Sequence, residues 1–424
     1  MHALATRLFP ICRSITGAGV RETLAILGEY LPGLEVHEIP SGTKAFDWTV
    51  PDEWNITGAY LEGPDGERII DFADSNLHVV SYSMPVDAEF SREELEPHLH
   101  SDAELPDAIP YVTSYYHRDW GMCLTQRQRD TLTDGTYRAV VSSTLEPGHL
   151  TYGELVIPGD SSEEVFVSTY VCHPSLANNE LSGPVVSTAL ARWLMSLPRR
   201  RYTYRFVFVP ESIGAITYTS RNLEHLKRHV IAGFNLTCIG DDGDYSYLAS
   251  RLGNLPIDRI AKRVLATRSP AVTYSYVDRG SDERTYCAPG IDLPLVSLMR
   301  TKYGAYREYH TSLDDLTVIT PTGLQGGLDL VRDCIDELER AEYFTATVLA
   351  EPQLGRRGLY HSMHARTVAD VVLLRTHVLA YADGQHSVLD MSEIFEIPVD
   401  DVQAVVDELI EHGLLVSLSE GVGT

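Results

Sequence analysis

Two histidines, His173 and His310, and the carboxylates Glu180, Glu211, Asp282 and Glu283 are residues of the kind that bind and use a metal ion. Their spacing follows a pattern. His173 stands in CHPSLANNELSG, after the apolar run VFVSTYV. Glu211 follows YRFVFVP directly, and Asp241 and Asp242 follow VIAGFNLTCI. Asp282 and Glu283 lie in a Gly-flanked loop before LPLVSLM, and His310 comes after it in EYHTSLDDL. Open α/β sheets hold ligands beyond the carboxyl ends of their strands, so these residues are expected on one rim. Imidazole and carboxylate suit Zn²⁺, and a further carboxylate can deprotonate water, so the chemistry this layout predicts is metal-assisted hydrolysis. Asn179 stands where an aspartate would be the stronger ligand, because a carboxamide is neutral.

The elements that must position these groups fall into four regions. Residues 1–40 hold a helix with Val20, Leu24, Leu27 and Leu31 at helical spacing, preceded by the loop Arg13–Gly19. Residues 41–152, with short alternating runs and Pro and Gly punctuation, predict a small β-rich domain. Residues 153–346 alternate near-continuous apolar strands with amphipathic helices, the mark of an α/β domain with a mostly parallel sheet. There, Ser182 is the expected cap of the helix carrying Val185, Val186, Leu190 and Leu194, with Pro184 in its first turn. Residues 352–424 read as three helices and a strand, the pattern of a winged helix. His361 and His364 fall in the linker before it or in its packing.

Composition narrows the partners. The 424-residue chain has 34 Lys and Arg against 60 Asp and Glu, a net charge of −26. Such a surface repels phosphate backbones and anionic lipid. The third helix of the tail carries Asp400, Asp401, Asp407, Glu408 and Glu411 and no Lys or Arg, so contact with a protein or a second copy of the chain is expected there, not DNA. No apolar run approaches the ~18–20 residues of a membrane span, and neither a signal peptide nor an anchor is predicted. Six scattered cysteines without a CxxC pair suggest reduced thiols and a cytoplasmic protein. His98 and His100 read as solvated, and Asp241, Asp242 and Asp244 as a surface turn.

The runs LFPICRSITGAGVRETL, DWTVPDEWNI, DSNLHVVSYSMPV, ELPDAIPYVTSYYHRDWG, CHPSLANNELSG, VPESIGA, GSDERTYCAPG and EYHTSLDDL carry a resemblance. The chain resembles the zinc aminopeptidases of clan MH. Within them it is most similar to a bacterial subfamily with an inserted β-rich domain and a C-terminal winged helix. The resemblance implies a two-zinc site of a His, a bridging Asp, a Glu-Glu pair, a further Asp and a late His. His173 and His310 match the two histidines, and Glu211 matches the general base. Asn179, Ser212 and Thr237 fall at three carboxylate ligands. Two Zn²⁺ would then be poorly compensated, which leaves at most one zinc per chain, on His173, His310 and either Asn179 or Glu180. Asp282 and Glu283 are expected to orient the histidines, and Arg13, Ser14 and Arg284 to grip the substrate. The implied function is hydrolysis of an amide bond in a small peptide or aminoacylated metabolite. The alternatives are a non-catalytic scaffold, or a single-zinc cyclase or acyl-transfer enzyme on the same fold.

Overall fold

The computed structural model of the protein describes residues 1–359 and 366–418, so His361 and His364 lie outside the described residues. It divides into two compact units. One comprises residues 1–253 and 261–332, the other residues 254–260 and 333–424.

The first unit is built on an eight-stranded mixed sheet. Its strands are β1 (Glu35–Pro40), β2 (His149–Ile157), β3 (Glu164–Tyr170), β4 (Thr203–Val209), β5 (Val230–Leu236), β6 (Tyr245–Leu248), β7 (Ala271–Tyr274) and β8 (Leu295–Met299). They lie in the order β1-β2-β4-β3-β5-β8-β6-β7. The four central strands β4, β3, β5 and β8 are mutually parallel and are the four apolar runs of the sequence. Every residue of β3 and β8 is buried, as strands covered on both faces require. Antiparallel pairing brings in β1, β2 and β6 at the flanks, where the alternation in the sequence is weaker.

The helix Ser182–Ser196 packs against this sheet at close range. A Cβ on Gly183 would lie 2.3 Å from Thr169 Oγ1 and 2.4 Å from the Leu236 carbonyl, so the helix start sits almost on β3 and β5. Ser182 does not cap this helix. A wide turn over Ala177–Leu181 runs straight into it, and the Ser182 hydroxyl donates to the Asn178 carbonyl and accepts from Ile239 N at 2.9 Å. Asp241 is no surface residue either: it is buried and accepts from Asn178 Nδ2, Thr301 N and Thr301 Oγ1.

The inserted sheet is antiparallel, ordered Arg68–Asp71, Glu53–Glu62, Thr136–Glu146, Val86–Ser91, over a core that includes Leu61, Leu95, Leu124 and Tyr137. It ends at Glu146, short of the expected 152, because His149–Ile157 belongs to the main sheet as β2. In the insertion, His98 stacks on Trp120 at 4.1 Å, which makes it a packing residue where solvation was expected.

The second unit is a winged helix. Helices Arg366–Tyr381, Val388–Phe395 and Val399–Glu411 carry a three-stranded sheet, ordered Asp383–Ser387, Tyr343–Ala346, Leu415–Ser417. Its core includes Phe344, Val378, Met391, Val402, Val406 and Leu409. Tyr343–Ala346 was expected to close the α/β domain; its pairing places it here instead. Among the described residues, no helix is long and apolar enough to cross a membrane.

Candidate active site

The loop after β3 carries His173 into a closed environment, with only 5% of its side chain exposed. Two groups fix it from behind. Glu180 Oε2 accepts from His173 Nδ1 at 2.8 Å, and Arg13 Nε donates to the His173 carbonyl at 2.9 Å. Arg13 and Glu180 are completely buried and lie 3.4 Å apart. Burial alone would lower the His173 pKa, but the Glu180 hydrogen bond and charge outweigh it and raise it. The same contact leaves Nε2 as the outward nitrogen and makes it more basic.

These contacts revise several expectations. Glu180 orients the histidine and is not placed as a ligand beside it. Arg13 does not face substrate, since its other nitrogens donate to the carbonyls of Leu8 and Pro174. Ser14 is buried against the Ser81 hydroxyl at 2.7 Å. Glu283 accepts from Gly280 N, Ser281 N, Tyr303 OH, Asn235 Nδ2 and Ser297 Oγ, so it ties its own loop and orients no histidine.

Glu211 follows β4 by two residues, and its Oε2 lies 3.7 Å from His173 Nε2. Its position is set by the backbone: Glu211 N donates to Cys172 Sγ at 3.1 Å. The next residue, Ser212, takes φ 62° and ψ −81° at the turn into helix Ile213–His229, a conformation that a serine adopts only under constraint. The constraint is Asp282, whose Oδ1 accepts from Ser212 N at 2.7 Å. Asp282 therefore holds the turn that aims Glu211, in place of the expected hold on a histidine. Burial raises the pKa of both acids. Asp282 is raised further by the charge of Glu211, while the His173 and Arg284 charges restrain Glu211. Arg284 is exposed at the rim, and its guanidinium donates to the Ser212 hydroxyl.

His310 comes from the opposite side. Its ring stacks on Tyr309 at 4.0 Å, meets Tyr111 edge-on at 5.2 Å, and lies 5.6 Å from the His173 ring. The insertion holds it there: Tyr111 N donates to the His310 carbonyl at 2.8 Å, and Ile109 and Ser312 exchange hydrogen bonds. Burial and then the His173 charge push the His310 pKa down to about 3, so its ring is neutral near pH 7. His310 Nε2 is buried and has no hydrogen-bond partner, and neither does Asn179 Oδ1.

Asn179 is itself over-determined. Its Nδ2 donates to Tyr170 OH at 2.6 Å, and its backbone N and that of Asn178 donate to the two oxygens of Asp314. The Tyr170 hydroxyl also contacts Thr237 Oγ1. Tyr170 and Asp314 were not singled out from the sequence, since nothing in their spacing set them apart; Tyr111 belongs to the run YVTSYYHRDW, whose aromatic residues the sequence places in the core and interface of the β domain, with some at the pocket wall.

The donor set near His173 is of a kind that zinc takes. His310 Nε2 and Asn179 Oδ1 have no hydrogen-bond partner, and His173 Nε2 has only Glu211 Oε2 at 3.7 Å, so two imidazoles and an amide oxygen are available as donors of the type Zn²⁺ binds. Thr237 and Asn179, which fall where the resemblance implies carboxylate ligands, instead bond through their side chains to the Tyr170 hydroxyl. Cys172 and Glu180 also lie near His173, but the Cys172 thiol is raised well above its usual pKa by burial and Glu180 is held by Nδ1. A cavity of about 220 Å³ opens onto His173 and Glu211, walled by Trp48, Tyr115, Tyr116 and Ile213.

A family model described as a domain of unknown function, DUF4910, matches residues 2–341, and a winged helix-turn-helix model matches residues 342–417. The chain belongs to the DUF4910 family. The DUF4910 chain is 44% identical over 395 residues to a Clostridium acetobutylicum protein, covering 92% of this chain and 90% of that one. That relative is provisionally named a polysaccharide biosynthesis protein with an aminopeptidase-like domain. A crystal structure from the same organism, provisionally called a peptidase, superposes with a TM-score of 0.82 at 42% identity, over 98% of this chain and 96% of that one. The zinc aminopeptidase BSAP from Bacillus subtilis shares the fold, with a TM-score of 0.55 at 14% identity over 80% of this chain and 93% of that one. The DUF4910 chain thus has a zinc-aminopeptidase-like α/β fold with a C-terminal winged helix.

Proposed function

We propose that this protein hydrolyses an amide bond in a small peptide or aminoacylated metabolite, using a single zinc at His173, His310 and Asn179. The carrying observation is a set of unpaired donors around His173: Nε2 of His310, whose ring lies 5.6 Å from the His173 ring, and Oδ1 of Asn179 are buried without partners, and His173 Nε2 faces the Glu211 carboxylate. A zinc held there would supply Lewis-acid polarisation of the scissile carbonyl and of water. The remaining work falls to the chain. Glu211, its pKa raised by burial, is matched to accept a proton from the attacking water and return it to the leaving amine. Asp282 keeps Glu211 aimed by fixing the Ser212 turn. Glu180 keeps His173 in one tautomer. Tyr115 and Trp48 narrow the cavity around the substrate. The printed name of the Clostridium relative supports a tailoring role on a biosynthetic intermediate over bulk protein degradation.

Zinc per chain, measured by plasma mass spectrometry on protein purified without chelator, tests this reading beside His310→Ala and Asn179→Asp. The expected result is about one zinc in the wild type, loss in His310→Ala, and tighter retention in Asn179→Asp. Zinc only in Asn179→Asp would mark a retired site and favour the scaffold reading. With zinc present, a panel of aminoacyl amides and N-terminal Gln peptides, with Glu211→Gln as the control, separates hydrolysis from cyclisation.

A further inference from the structure

A second cavity, of about 600 Å³, adjoins the first: Trp48 and Ser212 line both. Its walls are unusual for a chain of net charge −26. Arg251, Arg279 and Arg284 line it together with Tyr276. Arg251 is paired with Asp292. Arg279 has no carboxylate partner among the described residues: it lies 4.7 Å from the Tyr276 ring centroid and donates to the Tyr276 carbonyl. Arg284 donates to the Ser212 hydroxyl. Both guanidiniums are exposed at the cavity wall; the charge of Arg284 also acts on Glu211 and Asp282, and Arg279 stands over the Tyr276 ring. An arginine fork without a carboxylate is suited to a phosphate or carboxylate of the ligand. Trp48, exposed on the hairpin of Lys44–Ala45 and Trp48–Thr49, offers a flat apolar face to both cavities, and Tyr276 offers one to the outer.

Resting on the amide-hydrolase reading, we propose that the substrate is anionic: it carries an oxyanion group of the phosphate or diphosphate type, which Arg279 and Arg284 bind in the outer cavity while the amide lies at Glu211. With Arg251 taken up by Asp292, Arg279 and Arg284 are the guanidiniums of this wall left to meet a ligand oxyanion, and their planar forks match the oxygens of a phosphate. The outer cavity then acts as the specificity site, and the 220 Å³ inner cavity takes only the aminoacyl end.

Calorimetric titration of the full-length protein with pyrophosphate, inorganic phosphate and succinate tests this without needing turnover. Each titration is run on protein as purified and again after chelator treatment, so that binding to a metal is separated from binding to the arginines. Pyrophosphate is expected to bind in both preparations. Arg279→Gln and Arg284→Gln should each weaken it about tenfold, as loss of a charge-assisted contact does. Binding of pyrophosphate or phosphate over succinate supports the phosphate type, and preference for succinate overturns it. Binding that vanishes with chelator, or that survives in the Arg279→Gln/Arg284→Gln double variant, also overturns the proposal. Hydrolysis of neutral aminoacyl amides without anion binding would sink this inference and leave the hydrolase reading standing. Anion binding without any hydrolysis would do the reverse.

Discussion

The carboxylate of Glu180 touches two partners, His173 Nδ1 at 2.8 Å and Arg13 Nε at 3.4 Å, and the three side chains are sealed from water. A neutral glutamine at 180 could still accept from Nδ1, but Arg13 would lose its one carboxylate partner in a site where burial already lowers its pKa. Leaving one member of a buried pair uncompensated costs about 3 kcal/mol. Removing the carboxylate behind a ligating histidine lowers metal affinity by about 10–100-fold. Glu180→Gln is therefore expected to lose both folding stability, read by urea denaturation, and zinc, read by competition with a chromophoric chelator. Loss of stability with unchanged zinc affinity would show that Glu180 serves only Arg13 and that His173 is not a ligand.

Glu53 ties the start of the inserted sheet both to the helix Ala18–Gly28 and to the main sheet. It sits at the start of strand Glu53–Glu62 and accepts from Arg21 Nη2 at 2.6 Å, Asn55 Nδ2 at 3.0 Å and His149 N at 2.9 Å. Burial opposes its ionisation, but these donors outweigh burial and hold its pKa at about 2. Because the folded value is depressed, the stabilisation is present above the unfolded carboxyl range near 4.3 and is lost as pH falls towards 2. Allowing for solvent screening at a part-exposed site, Glu53→Gln should cost about 1–2 kcal/mol at pH 7. That gap should close by pH 2 in denaturation curves taken across the range; a gap of the same size at both ends would mean the charge of Glu53 is irrelevant. The same scale shows what could be read in advance. Continuous apolar runs announce buried parallel strands, so β3, β4, β5 and β8 and the helices between them were legible, and with them the placing of His173 and Glu211 just past strand ends. Flanking strands β1, β2, β6 and β7 were not: β1 and β7 are edges, where the hydrophobic pattern relaxes, β6 and β7 are short, and β2 has exposed and half-buried positions among its buried ones. Nor were the roles of Arg13 and Glu180. An arginine at a loop looks like a ligand grip until its donors are seen to end on the carbonyls of Leu8 and His173, and that depends on contacts between residues 160 positions apart.

Over the whole molecule, charge is the dominant uncommitted quantity. With 60 acidic and 34 basic side chains, 60 − 34 = 26 acids have no counterpart even if every base is paired. Several pairs that do form are exposed, such as Arg7 with Glu29 and Arg138 with Asp87, and pairs of that kind contribute about 0–1 kcal/mol each. Self-repulsion among the surplus acts over longer distances and opposes the compact state. Raising ionic strength shortens the screening length from about 10 Å at 0.1 M to about 3 Å at 1 M, which weakens that repulsion more than it weakens contacts at 3 Å. The melting temperature is therefore expected to rise by a few degrees between 0.1 and 1 M NaCl. The winged helix shares the surplus: Asp400, Asp401 and Asp407 lie along helix Val399–Glu411, and its Glu408 pairs with Arg375 of its own unit. Without cations to displace phosphate counterions, that helix should give no shift of duplex DNA in a gel at 50 mM salt. A retarded band there, or a melting temperature that falls with salt, would mean that local clusters, such as Arg205 between Glu154 and Glu164, govern the molecule's electrostatics more than its net charge does.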